Sequence, residues 1–158
     1  METFTRETLK TISKRYIFHG SPKLIKELAP HQARCASGKE QNLHNAVYGS
    51  SAPEFAIVFA FEKTPTTENL KESGWTVSTP SNKAKPDSPW ATLYKMKIEE
   101  NAKGFLYYFP KEKFSRSSPG SIQLICQESI APEKVFQINY KDFEYLFKLS
   151  DKPFSPTK

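Results

Sequence analysis

The early part of the chain has the apolar spacing of helices. A helix is predicted over residues 3–14, where apolar residues recur at roughly helical intervals among charged ones. A second helix is predicted over residues 53–61, because Ser51 can cap it, Pro53 fits its first turn and its body is mostly apolar. A last short helix is predicted over residues 141–148. We expect the second helix to be buried on most of its sides.

Strand-like segments make up most of the remaining pattern. They are predicted at residues 15–18, 46–48, 75–77, 90–98, 104–109, 121–128 and 134–140. A strong turn signal, His19-Gly20-Ser21-Pro22, follows the first strand, and the polar stretches 31–45 and 78–89 are predicted to be loops. Because helices come early and strands late, the order favours an α+β fold over an alternating parallel sheet.

Length and composition narrow the class of protein. A chain of 158 residues is expected to form one domain, here residues 1–149, followed by a flexible tail at 150–158. No apolar run approaches the roughly 20 residues of a membrane helix, and the start lacks a secretory pattern. We therefore expect a cytoplasmic monomer without a membrane partner. The net charge of +6 suits an anionic partner, although it can equally serve solubility alone.

Two side chains stand where strand patterns end. Alternation along residues 121–128 places Glu128 on the same face as the apolar residues, at the inner edge of the predicted sheet. A buried lone carboxylate is costly, so Glu128 either has a specific role or turns outward beyond the strand. His19 directly follows the first strand and precedes Gly20, where a ligand can approach the backbone closely. An isolated histidine there can also be purely structural.

Three segments together resemble the ADP-ribosyltransferase superfamily. They are Phe18-His19-Gly20-Ser21, then Val47-Tyr48-Gly49-Ser50 with the helix that follows, and the late strand that ends at Glu128. The resemblance is to the branch with a His, Tyr and Glu signature, which includes diphtheria-like toxins and poly(ADP-ribose) polymerases. It spans roughly residues 15–140 and implies a split β-sheet sandwich with short flanking helices around a cleft for NAD.

The resemblance implies a role for each matching residue. His19 would hydrogen-bond a ribose hydroxyl of NAD, and the Gly20 backbone would hold the nicotinamide carboxamide. Tyr48 would stack on the nicotinamide ring, and Phe59, eleven positions later, is the candidate for its second face. Ser50 and Ser51 match the small hydroxyl positions of the family's turn, and Ser21 and Ser50 are expected to contact NAD. Glu128 would be the catalytic carboxylate, because a negative group beside the ribose stabilises the oxocarbenium-like transition state.

The implied function is mono-ADP-ribosyl transfer from NAD to a protein or nucleic-acid acceptor. Cys126 stands where the arginine-modifying branch has a second acidic or amide residue, which argues against arginine as the acceptor. Since some members of the superfamily keep the fold without activity, the alternative is an inactive module that binds nucleic acid or an ADP-ribose-like ligand.

Two other residue groups suggest different chemistry. His31, Cys35 and His44 are spaced like metal ligands, but they lack a fourth ligand, and no metal is expected. Basic and aromatic residues interleave over residues 107–116, a composition that suits stacking on single-stranded nucleic acid. A strand followed by a solvated turn is the simpler explanation of the same stretch.

Overall fold

A computed structural model describes residues 1–12, 15–32, 45–80, 88–116 and 122–152. Its helices are α1 (Arg6–Thr11), α2 (Pro53–Phe59) and α3 (Tyr140–Phe143). Its strands are β1 (Tyr16–Ser21), β2 (His31–Gln32), β3 (Asn45–Ser50), β4 (Thr64–Pro65), β5 (Gly74–Val77), β6 (Ala91–Tyr94), β7 (Met96–Lys97), β8 (Lys103–Pro110), β9 (Ser115–Arg116), β10 (Gln123–Cys126), β11 (Lys134–Asn139) and β12 (Phe147–Ser150). The α+β prediction is confirmed.

Most strands join one antiparallel sheet, in the order β11-β8-β1-β3-β10-β9, with β2 paired to β3. Strands β5, β6 and β12 form a second, three-stranded sheet, in which β6 and β12 run parallel. In the large sheet, β1 pairs with β8 over six consecutive positions, from Tyr16 opposite Pro110 to Ser21 opposite Phe105. Between β1 and β3, by contrast, the register of the described residues has the single pair Phe18–Ser50.

Helix α2 lies directly on one face of the large sheet, where two glycines make room for it. A Cβ atom on Gly20 of β1 would lie 2.0 Å from the Ala56 carbonyl oxygen, and one on Gly104 of β8 would lie 2.1 Å from the Ala60 carbonyl oxygen. Any side chain at either position would push the helix away from the sheet. This face, here called the α2 face, also carries the largest buried apolar cluster, which includes Phe18.

The opposite face carries a smaller core. Leu28, Val47, Tyr107, Phe109 and Cys126 form its buried cluster. The Tyr107 hydroxyl accepts a hydrogen bond from the Ile25 backbone at 2.7 Å and donates one to the Lys23 carbonyl at 2.8 Å. These two bonds provide hydrogen-bond partners for the buried Tyr107 hydroxyl, and they hold the segment that contains Lys23 and Ile25 against this face.

The predicted turn at His19-Gly20-Ser21 is wrong, because β1 continues through all three residues. Local chemistry favours a turn there, but pairing with β8 and the seat that Gly20 provides for α2 outweigh it. The last helix also ends earlier than predicted, and the chain from Phe147 to Ser150 forms the edge strand β12. Ser150 therefore belongs to the sheet, and residues 153–158 of the predicted tail lie outside the described residues.

Strand β10 is shorter than predicted and is buried on both faces. It ends at Cys126, and Glu128 lies in the bend that follows. Ile125 packs with Ala46 and Tyr48, whereas Cys126 belongs to the cluster of the opposite face. The prediction that one face of this strand is inner and the other outer is therefore wrong. Within the described ranges, no helix is long and apolar enough to span a membrane.

The half-buried Lys63 lies at the C-terminal end of α2. The Lys63 ammonium donates hydrogen bonds to the Val58 and Phe61 carbonyl oxygens, at 2.6 and 2.9 Å. It also lies 3.9 Å from the centre of the Trp75 ring. The Val58 carbonyl is one of the last acceptors of α2, which a helix leaves without partners, so a cation there is favourable. Burial nevertheless lowers the pKa of Lys63 from 10.5 to about 7, because the charged form is poorly solvated.

This pKa predicts a specific dependence of stability on pH. Since the folded pKa of about 7 lies below the unfolded value of 10.5, the unfolded chain binds more protons between these two values. Deprotonation of Lys63 therefore raises the free energy of unfolding as the pH increases from about 7 to 10.5, by at most about 1.4 kcal/mol per pH unit. We expect the Lys63→Met variant to lack this rise when urea unfolding is measured from pH 6.5 to pH 9.5. Parallel stability curves for the two proteins would contradict the assignment.

Candidate functional site

The candidate site lies where β1 and β3 separate, and we call residues 18–20 and 48–50 the β1–β3 junction. The strands approach closely at the Phe18–Ser50 pair because Gly49 has no side chain. A Cβ atom on Gly49 would lie 2.5 Å from the Ile17 Cγ2 methyl and 3.1 Å from the Phe18 carbonyl oxygen. The junction brings His19, Gly20 and Tyr48, three of the residues that the sequence singled out, into one place.

The His19 ring spans the junction. Its Nδ1 atom lies 2.6 Å from the Tyr48 carbonyl oxygen. A carbonyl can only accept a hydrogen bond, so Nδ1 carries the proton and, in the neutral ring, Nε2 is the acceptor. The half-buried imidazole also lies beside the Tyr107 ring, with 6.0 Å between the ring centroids. This geometry fixes both the tautomer and the orientation of His19. Nε2 is left as a hydrogen-bond acceptor, to which a ribose hydroxyl can donate.

Tyr48 reaches the junction chiefly through its backbone. Its carbonyl holds His19, while its side chain is only 8% exposed and packs with Ala46 and Ile125. Gly20 likewise turns its α-carbon towards α2, so its missing side chain serves helix packing. The roles of the Tyr48 ring in stacking and of the Gly20 backbone in carboxamide binding remain predictions.

The two predicted hydroxyl residues form hydrogen bonds with backbone groups. Ser50 is fully buried, and its hydroxyl donates to the Ile122 carbonyl at 2.9 Å and accepts from the Ala52 backbone at 3.0 Å. It thereby ties β10 to the start of α2, where Ala52 rather than Ser51 precedes the first helical residue. The Ser21 hydroxyl accepts a bond from the Lys23 backbone at 3.2 Å. These contacts explain a serine at both positions without a ligand.

Glu128 lies away from the junction. The register of β10 with β3 pairs Ile125 with Tyr48, so Glu128 follows that pair by three residues, or about 10 Å of extended chain. Its side chain is exposed, and the Cys126 thiol lies 3.4 Å from its carbonyl oxygen. The structure thus places Glu128 just beyond the end of β10, and its catalytic role remains a prediction.

Phe59, the candidate for the second face of the nicotinamide, is 39% exposed on α2. Its ring packs against Phe55 at 5.2 Å and Trp75 at 5.0 Å between centroids. Phe59 therefore belongs to an aromatic cluster between α2 and β5, and a stacking role at the junction remains a prediction.

Gln123 of β10 lies level with the junction, but on the face of the sheet opposite to the one that carries the His19 ring. It pairs with Ser50, which itself pairs with Phe18, and directly opposed residues share a face of the sheet. Gln123 and Tyr48 are thus diagonal neighbours on the α2 face, about 7–8 Å apart. Alternation had assigned Gln123 to the outer face, because β10 was expected to be buried on one side only. The available signal was the presence of apolar residues at consecutive positions, 124 to 126.

The alternative sites gain no support. Cys35 and His44 lie outside the described residues, and within the described part of the chain no three potential metal ligands cluster. Lys111, Lys113 and Arg116 are exposed, but the rings of Tyr107 and Phe109 are fully buried and cannot stack on a nucleic-acid base. Tyr108 and Phe114 of the same stretch are half-buried, and nucleic-acid binding there remains a prediction.

Comparison with known proteins gives no further guide to the site. No protein-family model, curated protein or solved structure matches this chain.

Proposed function

We propose that this chain is a mono-ADP-ribosyltransferase whose split β-sheet sandwich binds NAD at the β1–β3 junction. The observation that carries the proposal is the single pair Phe18–Ser50 between β1 and β3, with the His19 ring bonded to the Tyr48 carbonyl. Two strands that pair once and then separate leave a gap in which a ligand can lie against both edges. The resemblance in the sequence concerns the same residues.

His19 is suited to bind a ribose of NAD. With Nδ1 donating to a carbonyl, Nε2 accepts a hydrogen bond, and the hydroxyls of a ribose are donors as well as acceptors. A half-buried acceptor held by the backbone loses little freedom when the ligand binds, so its bond contributes more to affinity than that of a mobile side chain. Neighbouring Gly20 would supply backbone groups to the carboxamide, as the resemblance implies.

The proposed reaction breaks the bond between C1′ of the ribose and the ring nitrogen of nicotinamide. The electron pair of that bond passes to the positively charged ring, which leaves as neutral nicotinamide. An oxygen or nitrogen of the acceptor forms the new bond to C1′, and its proton passes to solvent or to a base on the acceptor. Because the leaving group is already cationic, the protein needs chiefly to hold the ribose and to stabilise its developing positive charge.

A second function is favoured by the position of Glu128. The carboxylate that the resemblance assigns to catalysis is exposed and lies three residues beyond the Ile125–Tyr48 pair. A domain that binds NAD or an ADP-ribose-like ligand without cleaving it is consistent with this placement. The two functions share the junction and differ in whether nicotinamide is released.

One experiment separates these possibilities. The purified chain is titrated with NAD by calorimetry, then incubated with nicotinamide-labelled NAD, with and without a cell lysate as the source of acceptors. Binding together with release of nicotinamide is expected for the transferase. Binding without release would identify the binding module, and the absence of both would overturn the proposal. Where ADP-ribose is transferred, protease or nuclease treatment of the labelled product then identifies the class of acceptor.

A further inference from the structure

We infer that Tyr107 is a positioning residue of the proposed NAD site, because its ring holds the His19 imidazole in the orientation that presents Nε2 to a ribose hydroxyl. The inference rests on the proposed function and adds a residue from β8, a strand in which the resemblance assigns no role. The sequence pattern places Tyr107 only in the basic and aromatic stretch over residues 107–116.

The register between β1 and β8 brings the two rings together. His19 pairs directly with Tyr107, and directly opposed residues of neighbouring strands share a face of the sheet. Both side chains lie on the face opposite α2, since Phe18 and Gly20, the neighbours of His19, are turned towards that helix. The ring centroids are 6.0 Å apart, with 58° between the ring planes. This separation and tilt are typical of interacting rings.

Tyr107 can orient a neighbour because its own position is fixed. Its side chain is fully buried, and its hydroxyl accepts the Ile25 backbone N–H at 2.7 Å and donates to the Lys23 carbonyl at 2.8 Å. Burial also raises the pKa of the Tyr107 phenol above its ordinary value, so the hydroxyl keeps the proton that it donates. A side chain that is held by both packing and hydrogen bonds is able to lock the rotamer of a functional residue beside it.

His19 is thereby held from both of the strands that flank β1. In the order of the sheet, β1 lies between β8 and β3. The Tyr48 carbonyl of β3 fixes Nδ1 at 2.6 Å, and the Tyr107 ring of β8 restricts rotation of the imidazole. When that ring is removed, we expect the imidazole to turn away from the carbonyl and to exchange its proton between Nδ1 and Nε2. A protonated Nε2 cannot accept a bond from a ribose hydroxyl, so the apparent affinity falls with the competent fraction.

Two substitutions at position 107 separate the ring from its hydroxyl. Tyr107→Phe and Tyr107→Leu both remove the hydroxyl bonds, but only phenylalanine retains a ring beside His19. Phe109→Leu is the matched control, because it removes a fully buried ring from the same strand and the same apolar cluster, at a position opposite Ile17. Calorimetry measures NAD affinity. The ring nitrogen resonances of the ¹⁵N-labelled chain, which has three histidines, report the tautomer of His19.

The ring contact predicts a distinct result for the leucine variant at position 107. The natural chain, Tyr107→Phe and Phe109→Leu are expected to show the Nδ1–H tautomer of His19 and to bind NAD with nearly equal affinity. Tyr107→Leu is expected to show a mixture of tautomers and to bind NAD about tenfold more weakly, as a competent fraction of roughly one tenth requires. In assays of nicotinamide release, KM should rise while kcat changes little, because the bond to the ribose is made in the ground state as well.

The outcomes distinguish the inference from the function beneath it. If the natural chain binds NAD and Tyr107→Leu keeps both its tautomer and its affinity, Tyr107 is only a core residue and the function stands. An Nε2–H tautomer of His19 in the natural chain would overturn the inference without any variant. Absence of NAD binding by the natural chain would overturn the inference and the function together. Circular dichroism checks folding, and Tyr107→Met, with its more adaptable side chain, replaces a leucine variant that fails to fold.

Discussion

Replacing Gly104 with alanine is expected to lower the free energy of unfolding by about 3 kcal/mol or more, at the upper end of the cost of overpacking. The added Cβ would lie 2.1 Å from the Ala60 carbonyl oxygen, 2.8 Å from its carbon and 3.0 Å from the Ala60 methyl. The first two are backbone atoms of the chain at the end of α2, so no side chain can rotate away. The helix itself must move, and it is packed into the largest apolar cluster of the protein.

Urea unfolding followed by circular dichroism measures this loss. Lys103→Ala is the matched control, because Lys103 is the exposed neighbour of Gly104 in β8, where alanine meets no helix. A Gly104→Ala variant that is as stable as Lys103→Ala would mean that α2 does not lie on the sheet as described. Because Gly20 receives the same helix one strand away, such a result would also remove the structural basis of the junction.

Replacing His19 with alanine is expected to weaken NAD binding about 100-fold. The alanine variant loses two hydrogen bonds of roughly 1–1.5 kcal/mol each, one to the ligand and one to the Tyr48 carbonyl. His19→Asn separates them, because an asparagine amide can take the place of Nδ1–H opposite that carbonyl but has no atom at the position of Nε2. We expect the asparagine variant to fold like the natural chain and to lose about tenfold in affinity.

Calorimetric titration of the three proteins with NAD measures these effects. Affinity unchanged in both variants would show that NAD, if it binds, does not contact the imidazole. An equal, large loss in both would assign the whole effect to Nε2. A loss confined to His19→Ala would instead show that the histidine acts only by joining β1 to β3.

The sequence pattern predicts the elements better than their ends. Helix α2 begins at Pro53 as expected, since proline pre-forms the first turn and lacks the donor that would be left unpaired there. The continuation of β1 through His19-Gly20-Ser21 was not predictable from local residues. The missing side chain of Gly20 is typical of a turn, but here its space is filled by Ala56 of a helix that is distant in sequence. A tertiary contact thus decides a backbone conformation that local propensity contradicts.

The site depends on register, which a single sequence does not reveal. Alternation along residues 121–128 correctly assigns successive side chains to opposite faces of the strand. It does not show whether one face or both faces are buried. In the structure Leu124, Ile125 and Cys126 are all buried, so neither face of β10 is an outer one. The pairing with β3 then places Gln123, and not Glu128, level with Ser50.

Titration of the ¹⁵N-labelled chain with NAD, followed by the backbone amide resonances in two-dimensional NMR spectra, tests most directly whether a dinucleotide occupies the β1–β3 junction. We predict saturable shifts in the amides of residues 18–20, 48–50 and 122–124, with little change in β12 on the distant small sheet. Unchanged spectra at millimolar NAD, or shifts confined to other surfaces, would contradict the account.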